Sequence, residues 1–356
     1  MKPSFHTRLL NGPFDDPGLY VRLLREGRAL LFDIGFTVNL SPRDVLKTSD
    51  IFVSHTHVDH FIGFDNILRI SLKKEKPLRL YGPLGFIDCM EGKLKSYTWN
   101  LIGDYPLVIE VSEVSEDIIK KAVFRAENSF KRENAEAEPF DGVLIKDSFF
   151  TVSTAVLDHQ IPCLAFSLEE DYHINIDKAK LGEFNLPVGP WIGELKRAIR
   201  DGISEGVFTI KDKTFTPLES PDINSEDAKN KNIDPLLMAG FKAPPFLTGF
   251  TFPEIRDIAD ITKGQKLSYV VDALGSEENV RKVVNLVRGS DVLYMEAYFL
   301  DKDKERAKER YHLTAKEAGR IAREAGVGKL VVFHFSPKYM DAPEELVQEA
   351  ENEFSR

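Results

Sequence analysis

The chain has little cysteine and no long apolar run. Its two cysteines, Cys89 and Cys163, in 356 residues exclude a disulfide-rich scaffold and are typical of a reducing compartment. One bridge between them is arithmetically open, but two buried core thiols are the favoured interpretation. No segment approaches the roughly 20 apolar residues of a membrane helix, and residues 1–10 lack the apolar region of a signal peptide. We therefore expect a cytoplasmic protein that does not bind membranes.

The chain also lacks an excess of positive charge. Its net charge of -10 argues against a peripheral protein held by anionic lipid. The same charge makes nucleic-acid binding less expected, although a local basic patch stays compatible with it. A hydrophobic content of 42%, with 25 phenylalanines, is enough for a substantial core, and the 29% of charged residues are well mixed. This composition excludes a generally disordered chain.

Apolar runs at residues 19–23 and 29–33 predict a hairpin. Strands dominate the first half of the chain, whereas strands alternate with helices in the second half. This order predicts two sheets packed face to face with helices outside. Further strands are expected at 51–54, 78–82, 107–111, 122–127, 142–146, 149–157, 267–272, 292–299 and 330–333, and helices at 61–72, 83–94, 277–287, 314–325 and 343–354.

Residues 170–250 differ from the rest of the chain. They are rich in proline and contain the polar run 224–232. We interpret them as an inserted, protruding arm with mobile segments, within a single domain that spans residues 1–356, and not as a second compact domain.

The densest cluster of potential metal ligands follows the strand expected at 51–54. His55, His57, Asp59 and His60 lie within six residues and include three of the chain's eight histidines. Imidazole nitrogens and carboxylate oxygens together suit zinc and similar divalent ions. A loop can turn several of these side chains toward one point, so the spacing predicts a metal site. Incidental loop histidines are the alternative.

Three more candidate ligands each stand at the end of an expected strand. His159 follows 149–157, Asp272 ends 267–272 and His334 follows 330–333. Taken singly, each has an ordinary alternative: a buried core histidine or a helix-capping aspartate. Together with the first cluster, their repeated strand-end position favours ligation at one edge of the sandwich.

These motifs resemble the metallo-β-lactamase superfamily and, within it, the ribonuclease Z family of tRNA 3′-processing endonucleases. The seven candidate ligands match the family's H-x-H-x-D-H motif and its later His, Asp and His. His312-Leu-Thr-Ala resembles its H-S-T-A, residues 333–339 resemble its H-F-S-P-R-Y ending, and residues 186–196 resemble a stretch of its arm. The resemblance covers roughly residues 19–340. It implies an α/β fold, the αββα sandwich of two packed mixed sheets with helices outside.

The resemblance also implies two divalent ions, zinc in the first place, with manganese or iron as alternatives. Such a pair activates a water and clamps a phosphodiester for in-line displacement. Asp272 would bridge the two ions, and Asp59 would accept the proton of the attacking water. The ligands would be His55, His57 and His159 for one ion, and Asp59, His60 and His334 for the other.

Other roles follow from the same resemblance. His312 would protonate the leaving oxygen, with Glu296 orienting its imidazole; a surface histidine and a strand-end glutamate are the alternatives. Asp33 is expected to accept a hydrogen bond from a ligating histidine and so fix its tautomer.

Four residues are candidates for substrate contacts. Lys196 and Arg197 in the arm could contact RNA phosphates, although a solvated helix face is an equal alternative. Ser336 and Lys338 could contact the scissile region.

The sequence departs from the family pattern at several positions. Tyr269 stands where the family has a Glu implicated in proton transfer, Ala273 where it has Thr, and Lys338 where it has Arg. Our principal expectation is an endonuclease, as a homodimer, acting on the 3′ end of precursor tRNA. The alternative is a hydrolase of a small phosphodiester or another ester on the same site. A third hypothesis is a catalytically inactive binding protein of this fold.

Overall fold

The computed structural model describes residues 4–24, 26–134, 137–184, 186, 188–189, 191–201 and 256–356. The chain divides into two units: Lys2–Glu170 with Gln265–Arg356, and Asp171–Gly264. Residues 202–255 are not among the described residues, so most of the arm expected at 170–250 lies outside them.

The first sheet of the larger unit has nine strands. Its central strands β3 to β6 are parallel, and the strands on either side are antiparallel. Parallel strands are covered on both faces, which explains the nearly continuous apolar run of β3. The strands are β1 (Phe5–Leu9), β2 (Leu19–Leu23), β3 (Arg28–Phe32), β4 (Thr48–Phe52), β5 (Leu78–Pro83), β6 (Val108–Val114), β7 (Ile118–Arg125), β8 (Arg132–Asn134) and β9 (Glu138–Pro139).

The second sheet has six strands, in the order β10-β11-β12-β15-β16-β17. Strand β12 is antiparallel to both of its neighbours, whereas β15, β16 and β17 are mutually parallel. Strands β11, β15, β16 and β17 therefore run in one direction and end at one edge. The strands are β10 (Val143–Lys146), β11 (Phe150–Asp158), β12 (Pro162–Glu170), β15 (Lys266–Val270), β16 (Val292–Glu296) and β17 (Leu330–Phe333).

Aromatic side chains pack the two sheets together. Phe166 of the second sheet lies 5.7 Å from Phe32 and 5.6 Å from Phe52 of the first, measured between ring centroids. Separate apolar clusters join helices to the outer face of each sheet. The predicted αββα sandwich is confirmed.

Helices cover the outer faces of the sandwich. Ser41 caps the first of them and accepts a hydrogen bond from the Asp44 amide, and Thr314 and Glu317 form the capping box of another. The helices are α1 (Pro42–Lys47), α2 (Val58–Phe61), α3 (Phe64–Ser71), α4 (Phe86–Lys95), and, after the smaller unit's α5 (Lys178–Glu183) and α6 (Trp191–Arg200), α7 (Glu277–Val287), α8 (Lys304–Glu309), α9 (Ala315–Glu324) and α10 (Pro343–Phe354).

The smaller unit contains a two-stranded antiparallel sheet of β13 (Tyr172–Ile176) and β14 (Ala259–Lys263). Ile174, Leu181, Trp191 and Leu195 belong to its own apolar cluster. In the part of the chain that the structure describes, no helix combines the length and apolarity needed to cross a bilayer.

Most sequence predictions of elements are confirmed, and some are wrong. Strands β1 and β12 and helix α1 were not expected, and the strand expected at 292–299 ends at Glu296. Both cysteines are free thiols, but only Cys163 is buried. The prediction of two buried thiols is therefore wrong for Cys89, which is exposed.

Candidate metal centre

The candidate ligands lie at strand ends on one edge of the sandwich. His159 follows β11, Asp272 comes two residues after β15, and His334 directly follows β17. The remaining ligands come from the loop after β4 and from the short helix α2, whose N-cap residue is His57. The structure brings all seven predicted ligands together in this way.

Three residues that follow strands at this edge, including Asp33 directly after β3, have a left-handed backbone. The φ angles are 53° at Asp33, 48° at Asp272 and 57° at His334. Such conformations cost a non-glycine residue about 1–3 kcal/mol and are concentrated at functional sites. Each one turns the chain sharply at the end of a buried strand, so that the side chain meets the neighbouring strand ends.

The loop after β3 also packs closely against the motif. A Cβ atom at Gly35 would lie 2.1 Å from the backbone oxygen of Asp59, so only glycine fits there. The Ile34 amide donates a hydrogen bond to the His60 carbonyl at 2.9 Å. These contacts fix α2 against the end of β3.

One group of potential ligands contains His55, His57, His159 and Asp272, whose nearest ligand atoms lie within 4.8 Å of one another. His55 Nε2 is 2.9 Å from His57 Nδ1. Asp272 Oδ2 is 3.4 Å from His55 Nε2 and 3.5 Å from His159 Nε2. Three imidazoles and one carboxylate thus converge on a common point.

A second group contains Asp59, His60 and His334. Asp59 Oδ2 lies 3.4 Å from His60 Nε2 and 3.5 Å from His334 Nε2. Asp272 reaches this group too, because its Oδ2 is 3.2 Å from His60 Nε2 and its Oδ1 is 2.9 Å from His334 Nδ1. Asp272 therefore lies between the two groups.

Buried polar atoms without partners test whether this arrangement fits a metal ion. Among the described residues, His60 Nε2, Asp272 Oδ1 and His334 Nδ1 are buried and make no hydrogen bond of good geometry, although they lie within 3.2 Å of charged neighbours. Leaving such atoms unsatisfied costs about 1–3 kcal/mol each, and a cation among them would satisfy them together. The donor set of imidazoles and carboxylates fits a divalent metal site.

The electrostatics of the cluster agree with this interpretation. Burial and the neighbouring His60 lower the pKa of His55 to about 2, so its ring is neutral and keeps a lone pair. Burial alone would lower the pKa of His334, but Asp272 and Asp59 raise it to about 9. Burial would raise the pKa of Asp272, yet His334 and His60 hold it well below its usual value. Protons on His334 and His60, whose pKa values are raised, therefore balance the buried carboxylates.

Asp33 supports His60 from behind. Its fully buried carboxylate accepts hydrogen bonds from the Ser54 amide at 2.7 Å, the Ser54 hydroxyl at 2.8 Å and the Tyr269 hydroxyl at 3.0 Å. It also lies 2.9 Å from His60 Nδ1. A carboxylate can only accept here, so Nδ1 carries the proton and Nε2 is left to face the site.

His159 is oriented in the same way by a backbone group. Its Nδ1 donates to the Tyr311 carbonyl at 2.8 Å, which leaves Nε2 directed at Asp272. Tyr311 itself has a left-handed φ of 58°, in the turn that precedes His312.

His312 lies beside the two groups. Its Nδ1 is 2.8 Å from Glu296 Oε2, and the Tyr298 ring stacks on the imidazole at 3.9 Å with an interplanar angle of 8°. Burial would lower the pKa of His312, but Glu296 and Asp272 together raise it. The side chain is thus held at a fixed position next to the cluster, where these carboxylates favour its protonated form.

The predicted substrate contacts are placed differently. Ser336 lines the cavity of about 310 Å³ above the cluster, and Lys338 does not. Lys338 instead forms an ion pair with Asp303 at 2.6 Å. Lys196 and Arg197 lie on α6 of the smaller unit, where Lys196 donates to the Ile174 carbonyl and Arg197 pairs with Glu194 at 2.9 Å.

Sequence reasoning missed several residues of the site. Tyr298, Arg306 and Arg310 line the same cavity, and Tyr269 was noted only as a departure from a family pattern. The pairing of Tyr269 with Asp33 joins residues 236 positions apart, and no local spacing could have indicated it. The two arginines carried a weak signal, because they stand one helical turn apart just before His312.

No protein-family model matches the chain. Among curated proteins, it is 26% identical to the ribonuclease Z of Deinococcus radiodurans over 318 residues, which cover 88% of this chain and 84% of that protein. It is 28% identical to the ribonuclease Z of Nanoarchaeum equitans over 332 residues, covering 90% of this chain and 79% of that protein.

Among solved structures, the chain resembles the metallo-β-lactamase fold protein YhfI from Bacillus subtilis. The TM-score is 0.50 at 14% identity, and the alignment covers 98% of this chain and 92% of that one. This likeness concerns the fold, whereas the sequence similarity concerns the ribonucleases Z. The chain is therefore a metallo-β-lactamase-fold protein of ribonuclease Z-like sequence.

Proposed function

We propose that this protein is a metal-dependent endoribonuclease of the ribonuclease Z type, which cleaves precursor tRNA at its 3′ end. The observation that carries the proposal is the convergence of two ligand groups on Asp272, with Asp272 Oδ2 3.4 Å from His55 Nε2 and 3.2 Å from His60 Nε2. The similarity to two ribonucleases Z over most of both chains supports the substrate class.

The site suits two divalent ions, with zinc as the first candidate. When bound, such a pair activates a water and clamps a phosphodiester for in-line displacement. Asp272 would bridge the ions, because a carboxylate can ligate two cations with its two oxygens. The other ligands would be His55, His57 and His159 for one ion, and Asp59, His60 and His334 for the other.

Asp59 is suited to accept the proton of the attacking water. Its side chain is 44% exposed, more than that of any other carboxylate in the cluster, so it borders the cavity. Burial would raise the pKa of Asp59, but hydrogen bonds to His334 and His60 hold it well below its usual value. The group is thus an ionised carboxylate at neutral pH and can take up a proton.

His312 is suited to give a proton to the leaving oxygen. Glu296 holds Nδ1 at 2.8 Å, and Glu296 and Asp272 raise the pKa of the imidazole, which favours its protonated form. The stacked Tyr298 ring fixes the plane of the imidazole, so that His312 faces the same cavity as Asp59. A base and an acid would thus flank a phosphodiester bound in this cavity. A homodimer stays a prediction from the family resemblance, and a cytoplasmic location stays a prediction from the low cysteine content and the lack of long apolar runs.

Cleavage of a labelled precursor tRNA tests the proposal. With added zinc or manganese, we expect a cut just after the discriminator base. We expect His60→Ala and Asp272→Asn to abolish the cut and to lower the bound metal. His6→Ala, at an exposed position on β1, is the matched control and should leave both unchanged. Full activity in His60→Ala, or intact RNA with the wild-type protein, would contradict the proposal.

A further inference from the structure

Two arginines beside the metal centre are not used in the mechanism above. Arg306 lies on α8, and Arg310 is the residue at its C-terminal end, one helical turn later. Both line the cavity that also contains Asp59, Asp272 and His312. Positions four residues apart lie on the same side of a helix, so the two guanidinium groups face the cavity together.

The helix that carries these arginines is tied to the catalytic histidine. The Arg310 amide donates to the Arg306 carbonyl at 3.0 Å, and the His312 amide donates to the Ala307 carbonyl at 2.9 Å. The same turn places the Tyr311 carbonyl 2.8 Å from His159 Nδ1. The arginines are therefore held at a fixed position relative to His159 and His312.

Both arginines are exposed, and neither forms an ion pair within the described part of the chain. Two basic neighbours do: Lys302 pairs with Glu345 at 3.3 Å, and Lys338 pairs with Asp303 at 2.6 Å. The Arg306 guanidinium lies 5.9 Å from the centre of the Phe299 ring, which itself lines the cavity. An aromatic face restricts a guanidinium without neutralising it.

We propose that Arg306 and Arg310 bind the RNA phosphates that flank the scissile bond. The inference rests on the proposed function and names the residues that position its substrate. A guanidinium matches phosphate oxygens with two parallel N–H donors. In a chain of net charge -10, two unpaired arginines beside the reaction centre supply the attraction that the overall charge does not. Such contacts position RNA without reading its sequence.

Binding of a fluorescein-labelled oligouridine, measured by anisotropy over a range of salt concentrations, tests this assignment on the full-length protein. For single strands, each phosphate contact contributes about 0.7 to the slope of log affinity against log salt. We expect Arg306→Gln combined with Arg310→Gln to weaken binding about tenfold or more and to reduce the slope by about 1.4. Gel analysis of the recovered RNA verifies that it is uncut.

Lys308→Gln is the matched control. It removes one positive charge from the same helix, half the change of the double variant, but Lys308 does not line the cavity. We expect its affinity and salt slope to equal those of the wild type. Unchanged binding in the double variant, an equal loss in Lys308→Gln, or no binding by the wild type would each overturn the assignment.

The precursor tRNA assay separates this inference from the proposed function. If the wild type cuts precursor tRNA, the double variant should show a KM at least tenfold higher, and an unchanged KM would refute the arginine site. If the wild type leaves precursor tRNA whole, the proposed function fails, and the oligouridine titration still decides whether these arginines bind RNA phosphates.

Discussion

The buried hydroxyl of Tyr269 supplies one of the four contacts to the Asp33 carboxylate. Tyr269 is 1% exposed and donates to Asp33 Oδ2 at 3.0 Å. Tyr269→Phe removes this donor and leaves the ring packed against Phe32 and Phe333. A hydrogen bond to a charged group contributes about 1.5–3 kcal/mol. We expect the free energy of unfolding to fall by about 2 kcal/mol.

The structure offers a closely matched control. Tyr294 lies directly beside Tyr269 in the parallel register of β15 and β16. Its hydroxyl donates to the Thr7 hydroxyl at 2.7 Å, and the residue is 8% exposed. Because this partner is neutral, Tyr294→Phe should cost only about 0.5–1.5 kcal/mol. Both variants lose the same atom from neighbouring buried sites. The difference between their losses in the free energy of unfolding therefore measures how much the charge of the acceptor adds to the hydrogen bond.

The two variants should also differ in metal binding. Asp33 fixes the proton of His60 on Nδ1, and losing such a supporting contact costs about 10–100-fold in metal affinity. Asp33 keeps the two hydrogen bonds from Ser54, so we expect the lower end, about tenfold, for Tyr269→Phe. Tyr294→Phe should show no change. Urea denaturation of metal-free protein and zinc competition with a chelator measure the two effects. Equal losses in both variants would refute the reasoning.

Three more predictions concern the site and its support. His312→Ala should lower kcat on precursor tRNA by about 10²–10⁴-fold and keep full metal content; a loss of metal would show that His312 is a ligand instead. The pKa of His334 is reduced by burial but raised more strongly by Asp272, to about 9, above the ordinary value near 6.5. The stability that protonated His334 gives to the folded protein is therefore present in full below about pH 6.5 and is lost as the pH rises through about 9. Thermal melting of chelator-treated protein should show this decline, and a midpoint that increases over the same window would contradict it. Thr314→Ala removes a capping box and should destabilise the protein by about 1 kcal/mol in urea denaturation; an unchanged midpoint would show that the cap is redundant.

Much of the fold was predictable because its signals are local. The run of β3 and the helical spacing of α7 depend on neighbouring residues only, and the bounds of α7, β17 and α10 agree with the sequence prediction. The strand β12 was missed although it is a nine-residue strand. Its residues are buried on both sides, so the alternation that marks a half-buried strand is absent.

The ligand types were also predictable, because His55, His57, Asp59 and His60 are so close in sequence that one short segment after β4 carries them all. The hydrogen-bond partners that orient these ligands could not be predicted from the sequence. Tyr269 reaches Asp33 only because β15 of one sheet lies opposite the end of β3 of the other. Lys338 pairs with Asp303, a contact that the sequence did not indicate, and its contact with substrate stays a prediction.

The amino-acid sequence by itself determined the elements and the chemistry of the site, since helix periods, caps and clustered ligands act over a few residues. Only the tertiary structure decided which buried donors meet Asp33, that Asp272 lies between both ligand groups, and that Arg306 and Arg310 line their cavity. The physical reason is that these contacts depend on strand register, sheet packing and the left-handed turns at strand ends. Those features arise from the whole core and not from any single stretch of sequence.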